Sequence, residues 1–168
     1  MSVHRLGSTL AALAASLTAC GGGSARLAGP PAPARAPTAS CPVTIPNGHR
    51  PPGEQPSPED HGSGGLWTAI PVDGRILAAR QFVLSDGSMR IKFPWWGSRR
   101  AGANLSVTGT SLDPSARPAR AHISPGHTGA PRFWASGVIF PTEGCWRVTA
   151  RAGRAKLTLT VFLQKAVA

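Results

Sequence analysis

The segment Trp95-Trp96-Gly97-Ser98-Arg99-Arg100 carries the residue types best suited to holding a ligand. Adjacent side chains on an extended chain point to opposite faces, so one indole can enter a core while the other stays at the surface. An exposed indole beside two guanidinium groups can stack on a sugar ring or hold an anionic glycan. Arg147 and Arg151, on a later basic segment, would add charge to such a site. A plainer reading gives the aromatic pair to packing: Pro94-Trp95 closes a strand, Trp96 caps one end of the fold, and the two arginines are solvated. With five Trp and no Tyr, the chain needs its tryptophans for core volume, which favours the plainer reading.

No nucleophile, base and orienting acid stand in a recognisable arrangement. G-x-S-x-G is absent, and His61-Gly62-Ser63 reads as loop composition rather than a dyad. Glu59-Asp60 lies in a Pro-rich stretch and reads as a solvated pair rather than paired acid and base. His49, His61, His122 and His127 match no standard zinc spacing, and there is no phosphate loop or dinucleotide fingerprint. The expectation is a non-enzymatic chain with no catalytic residue, no metal and no cofactor.

Eighteen Lys plus Arg against seven Asp plus Glu give a formal charge of +11, a balance that suits an anionic partner. The basic residues are spread from Arg75 to Lys165 without a block or tail, which argues against specific nucleic-acid binding. Only Lys92, Lys156 and Lys165 are lysines, and the abundance of Ala, Gly, Pro and Arg points to compositional bias as one source of the charge. After Asp113 the only acid is Glu143, so the C-terminal third should still attract polyanions in a salt-sensitive way.

At the N-terminus, His4 and Arg5 precede an uncharged stretch, Leu6 to Leu17, too short to span a bilayer and shaped like the apolar region of a signal peptide. It ends in Leu17-Thr18-Ala19-Cys20, followed by Gly21-Gly22-Gly23-Ser24, and this resembles the lipobox of bacterial lipoproteins. The resemblance implies that residues 1–19 are a lipoprotein signal peptide and that Cys20 carries diacylglycerol as a thioether and becomes the first residue after cleavage. The protein would then be extracytoplasmic and held to the membrane of the cell envelope by its lipid. The alternative is an ordinary secretory signal cut nearby. With Cys20 assigned to lipid, Cys41 and Cys145 are left either as a disulfide or as two buried free thiols, and an exported chain favours the disulfide.

Residues 20–40 are Gly, Ala, Pro, Ser and Arg with one large apolar residue, Leu27, and cannot bury a core. They read as a disordered linker of polyproline and flexible character. Residues 41–65, still rich in Pro, read as an irregular extension stapled to the domain by Cys41 and Cys145. Residues 66–168 change to short apolar segments between turn residues. Leu66 to Val72 predicts a strand, with Asp73-Gly74 as a hairpin turn into a second strand over Arg75 to Leu84. Met89, Ile91 and Phe93 alternate with Arg90 and Lys92, and Leu105 and Val107 with Ser106 and Thr108. A Pro- and Gly-rich loop over Asp113 to Pro131 precedes a strand from Trp134 to Phe140. Trp146, Val148 and Ala150 then face Leu157, Leu159, Val161 and Leu163 across a hairpin at Ala152-Gly153-Arg154. Seven or eight strands and no convincing helix predict an all-β fold, a β-sandwich at this size.

Phe140-Pro141-Thr142-Glu143-Gly144-Cys145-Trp146-Arg147-Val148-Thr149, with Gly153 and Leu157-Thr158-Leu159-Thr160-Val161, resembles the ending of a group of uncharacterised exported bacterial proteins with an immunoglobulin-like sandwich. The resemblance covers about the last 30 residues and is weaker around Lys92 to Trp96 and Leu112-Asp113. It implies an immunoglobulin-like fold, with Trp146 packed on the disulfide, and lends no catalytic residue. The sequence therefore points to a binding or structural module of the envelope. A second reading is a binder of anionic or carbohydrate envelope polymer using Trp96, Arg99, Arg100, Arg147 and Arg151. A small hydrolase is a distant third.

Overall fold

Alternation of apolar and polar side chains every second residue shapes the folded chain, because a strand with one buried face must read in that way. The computed structural model describes residues 40–124, 126, 129 and 131–166, all within one compact unit, Thr38–Ala168. Cys20 and the lipobox-like residues before it, most of the stretch expected to be a linker, and His127 lie outside the described residues.

Nine strands form: β1 Asp60–Ser63, β2 Leu66–Ala69, β3 Arg75–Ala78, β4 Met89–Gly97, β5 Leu105–Ser111, β6 Arg120–Ser124, β7 Arg132–Phe140, β8 Gly144–Ala152 and β9 Ala155–Lys165. A single 3₁₀ turn, Arg80–Phe82, is the only helical element among the described residues. Two sheets pack as a sandwich, in the orders β1-β2-β4-β7-β6 and β3-β9-β8-β5. In β4 the side chains of Met89, Ile91, Phe93 and Trp95 are buried while Arg90 and Lys92 are exposed, and β9 repeats the pattern with Leu157, Leu159, Val161 and Leu163 inside.

Between the sheets, Phe140 meets Trp146 and Phe93 edge-on, with ring centroids 5.2 Å and 6.4 Å apart, geometries that suit the quadrupoles of the rings. Each buried indole finds an acceptor: Trp95 donates to Ser136 Oγ at 2.8 Å, Trp134 to Ala103 O at 3.3 Å and Trp146 to Thr142 O at 3.1 Å. A buried N–H left without a partner costs its desolvation, so these bonds fix the orientation of the rings as well as satisfying them.

Several elements differ from the sequence expectations. Asp73-Gly74 does turn the chain, with Gly74 at φ 66°, but β2 and β3 are not a hairpin. β3 crosses to the second sheet and runs parallel to β9, with Arg75 opposite Phe162. Of the expected second strand only Arg75–Ala78 forms a strand, and the 3₁₀ turn Arg80–Phe82 interrupts the rest. The stretch expected to be irregular before residue 66 contributes β1, joined to β2 across Gly64-Gly65, so His61-Gly62-Ser63 is strand rather than loop. The expected loop from Asp113 to Pro131 contains β6. Pro94 sits inside β4, one position beyond the last β2–β4 pair, Thr68 with Trp95, and its carbonyl accepts Thr68 Oγ1 at 2.7 Å.

Cys41 and Cys145 are joined in a disulfide with a Cα–Cα distance of 5.5 Å. From Cys41 the chain runs along the edge of β9. Thr44 N donates to Thr160 O and Thr160 N to Thr44 Oγ1, both at 2.8 Å, and Phe162 N donates to Gly74 O at 2.9 Å just before β3 takes over that edge. An open strand edge is a template for unwanted pairing, and this strap covers it. The disulfide is not in the core. Cys145 shares its parity with the exposed Arg147 and Arg151, whereas Trp146 points inward onto Phe140. The expectation that Trp146 packs on the disulfide is therefore corrected: neighbours on a strand face opposite ways.

Candidate functional site

Trp95 occupies the core with no exposed surface, so its neighbour Trp96 must emerge on the outer face of the five-stranded sheet. There it lies in register with Trp67 of β2 on one side and Phe133 of β7 on the other. The centroids of Trp96 and Phe133 are 5.4 Å apart with the rings inclined at 58°. Trp67 and Trp96 are half-buried, and among the described residues neither spends its indole N–H on a hydrogen bond, in contrast to the three core tryptophans.

Gly62 of the edge strand faces Trp67 across the ladder. A Cβ built at Gly62 would lie 2.0 Å from Trp67 Cδ1, so the missing side chain is what allows the indole to lie across β1. Beside this indole opens a groove of about 690 Å³ walled by Trp67, Gly62 to Gly65 and the segment 48–54. Asn47 holds that segment in place as a strand would. Its Nδ2 donates to Gly62 O at 2.9 Å, and its Oδ1 accepts both Gly62 N and His49 N at 3.1 Å. Arg50 Nε donates to the backbone carbonyl of Glu54 at 3.0 Å, and the His49 ring approaches Gly62 O at 3.3 Å. The groove is thus lined by one indole together with His49, Arg50 and Glu54. Such a mix of one apolar plate and convergent polar groups suits a polyhydroxylated ligand.

Behind the groove, His61 is buried beneath the strap, and its Nδ1 has no hydrogen-bond partner. Burial, the largest cause, holds its pKa below the ordinary imidazole range. The charge on His49 adds to the shift, and a hydrogen bond with the Ile45 backbone opposes it. Among the described residues no group of three or more His, Cys, Asp or Glu gathers as a metal site would require.

The residues singled out in the sequence do not all meet. Trp96 stands on the outer face of the five-stranded sheet, and Arg99 and Arg100 are exposed in the connection just beyond it. Arg147 and Arg151 project from β8 on the outer face of the other sheet, so the five do not form one surface. His122 is exposed on β6, the edge strand far from the groove. Trp67, Arg50 and Glu54 were not singled out, and His49 was weighed only as a metal ligand. The signal for Trp67 was present: a Gly-Gly turn at 64–65 closes a hairpin that places Trp67 opposite Gly62. Comparison with protein-family models and with characterised proteins finds no match to this chain.

Proposed function

We propose that this chain is a non-enzymatic, extracytoplasmic lipoprotein, tethered through lipid on Cys20, whose sandwich holds a glycan of the cell envelope on the outer face of the five-stranded sheet. The observation that carries the reading is the registered pair Trp67 and Trp96, surface-placed with unspent N–H donors and continuous with the groove at His49, Arg50 and Glu54. Pyranose rings present flat C–H faces that pack on indoles, while their hydroxyls need the donors and acceptors that the groove supplies. The disulfide between Cys41 and Cys145 supports an oxidising compartment, as export would provide.

The strand orders support the finer reading of an immunoglobulin-like sandwich. Taken as A, B, E and D, strands β2-β4-β7-β6 oppose β5-β8-β9 as C, F and G, with β3 added parallel to the last. The disulfide differs from the usual inter-sheet bridge of antibody domains, because Cys145 on β8 is joined to the strap rather than to β4.

The test is a titration of the full chain with N-acetylglucosamine oligosaccharides and β-linked glucans, with wild type compared to Trp67→Ala and Trp96→Ala. The reading expects saturable binding lost in both variants while their melting temperatures stay within a few degrees of wild type. No binding to any neutral or acidic oligosaccharide, or binding untouched by both variants, overturns it.

A further inference from the structure

The two ends of the sandwich differ in charge in a way that the order of residues hides. At one end the Gly64-Gly65 turn, the connection over residues 98–104 and the Gly153-Arg154 turn come together. Ser98 N donates to Gly65 O at 2.8 Å and Gly102 N to Ala152 O at 3.0 Å, and Leu105, Ala152 and Ala155 are in register. These connections and the strand positions next to them carry Arg99, Arg100, Arg132, Arg151, Arg154 and Lys156, and they contain no Asp or Glu. At the other end lie Asp73, Asp86, Asp113 and Glu143, four of the seven acids of the chain, interspersed with arginines. Cys41 joins the domain at this second end, beside the start of β8. The nine residues of β8 then separate the disulfide from the cationic end by about 27 Å.

We propose that this cationic end is a docking surface for a linear polyanion, a polymer bearing repeated phosphate, sulfate or carboxylate groups. Arg99, Arg100, Arg151, Arg154 and Lys156 are exposed, and they reach the surface from two separate parts of the chain. Like charges brought together on connections that carry no acid raise a local positive potential, which Glu54 in the groove beside Gly64-Gly65 tempers and a multivalent anion relieves, and guanidinium groups bind oxyanions bidentately. The opposite end receives the chain from the N-terminal side. Cations drawn from separate connections and spread along this end suit repeated anionic groups on one polymer rather than a single headgroup. Polyanion binding itself does not depend on the indole pair.

The experiment uses the full chain in neutral detergent micelles and fluorescein-labelled heparin as probe, with salt varied. Triple reversal at the cationic end, Arg99→Glu/Arg100→Glu/Arg154→Glu, is compared with an equal reversal at the other end, Arg80→Glu/Arg90→Glu/Arg117→Glu. Each neutralised charge contributes roughly 0.7 to 0.9 to the slope of log K against log salt, by analogy with nucleic acids. The surface therefore predicts a steep wild-type slope, reduced by about 2 in the first variant with at least a tenfold loss of affinity at low salt. The second variant should lose less than threefold. Equal losses would show that net charge alone acts, and absence of wild-type binding at low salt, or tighter binding to anionic vesicles than to heparin, would overturn the proposal. Retained heparin binding in Trp67→Ala/Trp96→Ala separates this surface from the glycan site, whose failure is read with neutral oligosaccharides.

Discussion

Opening the disulfide should destabilise the fold through the unfolded state rather than through lost contacts. The bond joins residues separated by 104 positions, and the chain-entropy model assigns such a loop about 4.7 kcal/mol. With an unfolding entropy of about 2.1 cal/mol/K per residue over Thr38–Ala168, roughly 0.28 kcal/mol/K in total, the melting temperature should fall by about 17 °C. The strap keeps its bonds to Thr160 in either state, so the native structure should survive the change. Calorimetry on Cys41→Ser and wild type, each with and without reductant, isolates the effect. Oxidised wild type should melt far above the other three, which should coincide. A Cys41→Ser variant that melts within two or three degrees of oxidised wild type would refute the entropic argument. A variant that melts below reduced wild type would show that the sulfur itself makes a packing contribution.

Ser136→Ala removes the acceptor of the Trp95 indole inside the core and should cost about 1–3 kcal/mol, read as a lower urea midpoint at unchanged m-value. Gly62→Ala should drive the Trp67 indole off β1, altering tryptophan emission and weakening glycan binding, whereas Gly137→Ala, whose Cβ would meet only the Arg90 side chain at 3.9 Å, should leave emission unchanged. His61 should make the fold acid-sensitive. Its folded pKa lies below the unfolded value of ~6.5, so between the two the unfolded chain binds more protons and stability falls as pH is lowered. His61→Gln should flatten the dependence of the urea midpoint on pH in the window just below neutrality, and an unchanged slope in that variant would assign the effect to other groups.

The strongly alternating strands were legible in the sequence because one face of each is buried: β4, β5, β8 and β9 and the hairpin between the last two stand where the pattern places them. β1 and β6 were not. Asp60-His61-Gly62-Ser63 has no apolar alternation, and it becomes a strand because Leu66–Ala69 offers it a partner across two glycines. Arg120-Ala121-His122-Ile123-Ser124 alternates, but with Ala and Ile as its only apolar residues, inside a Pro-rich context. The crossover of β3 was hidden because a turn signal at Asp73-Gly74 fixes that the chain turns, not which strand it then joins. At the candidate site, the opposite facing of Trp95 and Trp96 followed from strand geometry alone. The company of Trp96 did not, because Trp67 lies 29 positions away and meets it only through the β2–β4 register. The same limit explains the charge: cations scattered along the chain become one end of the sandwich only once three connections are brought together.

The proposal that the outer face holds a glycan through its indoles is tested most directly by fluorescence. Trp67→Phe/Trp96→Phe leaves Trp95, Trp134 and Trp146 as emitters in the core and removes the two on the surface. Titration with N-acetylglucosamine oligosaccharide should shift and partly quench wild-type emission in a saturable way and leave the double variant spectrally silent. A response of equal size in the double variant, or no wild-type response up to millimolar sugar, would contradict the account.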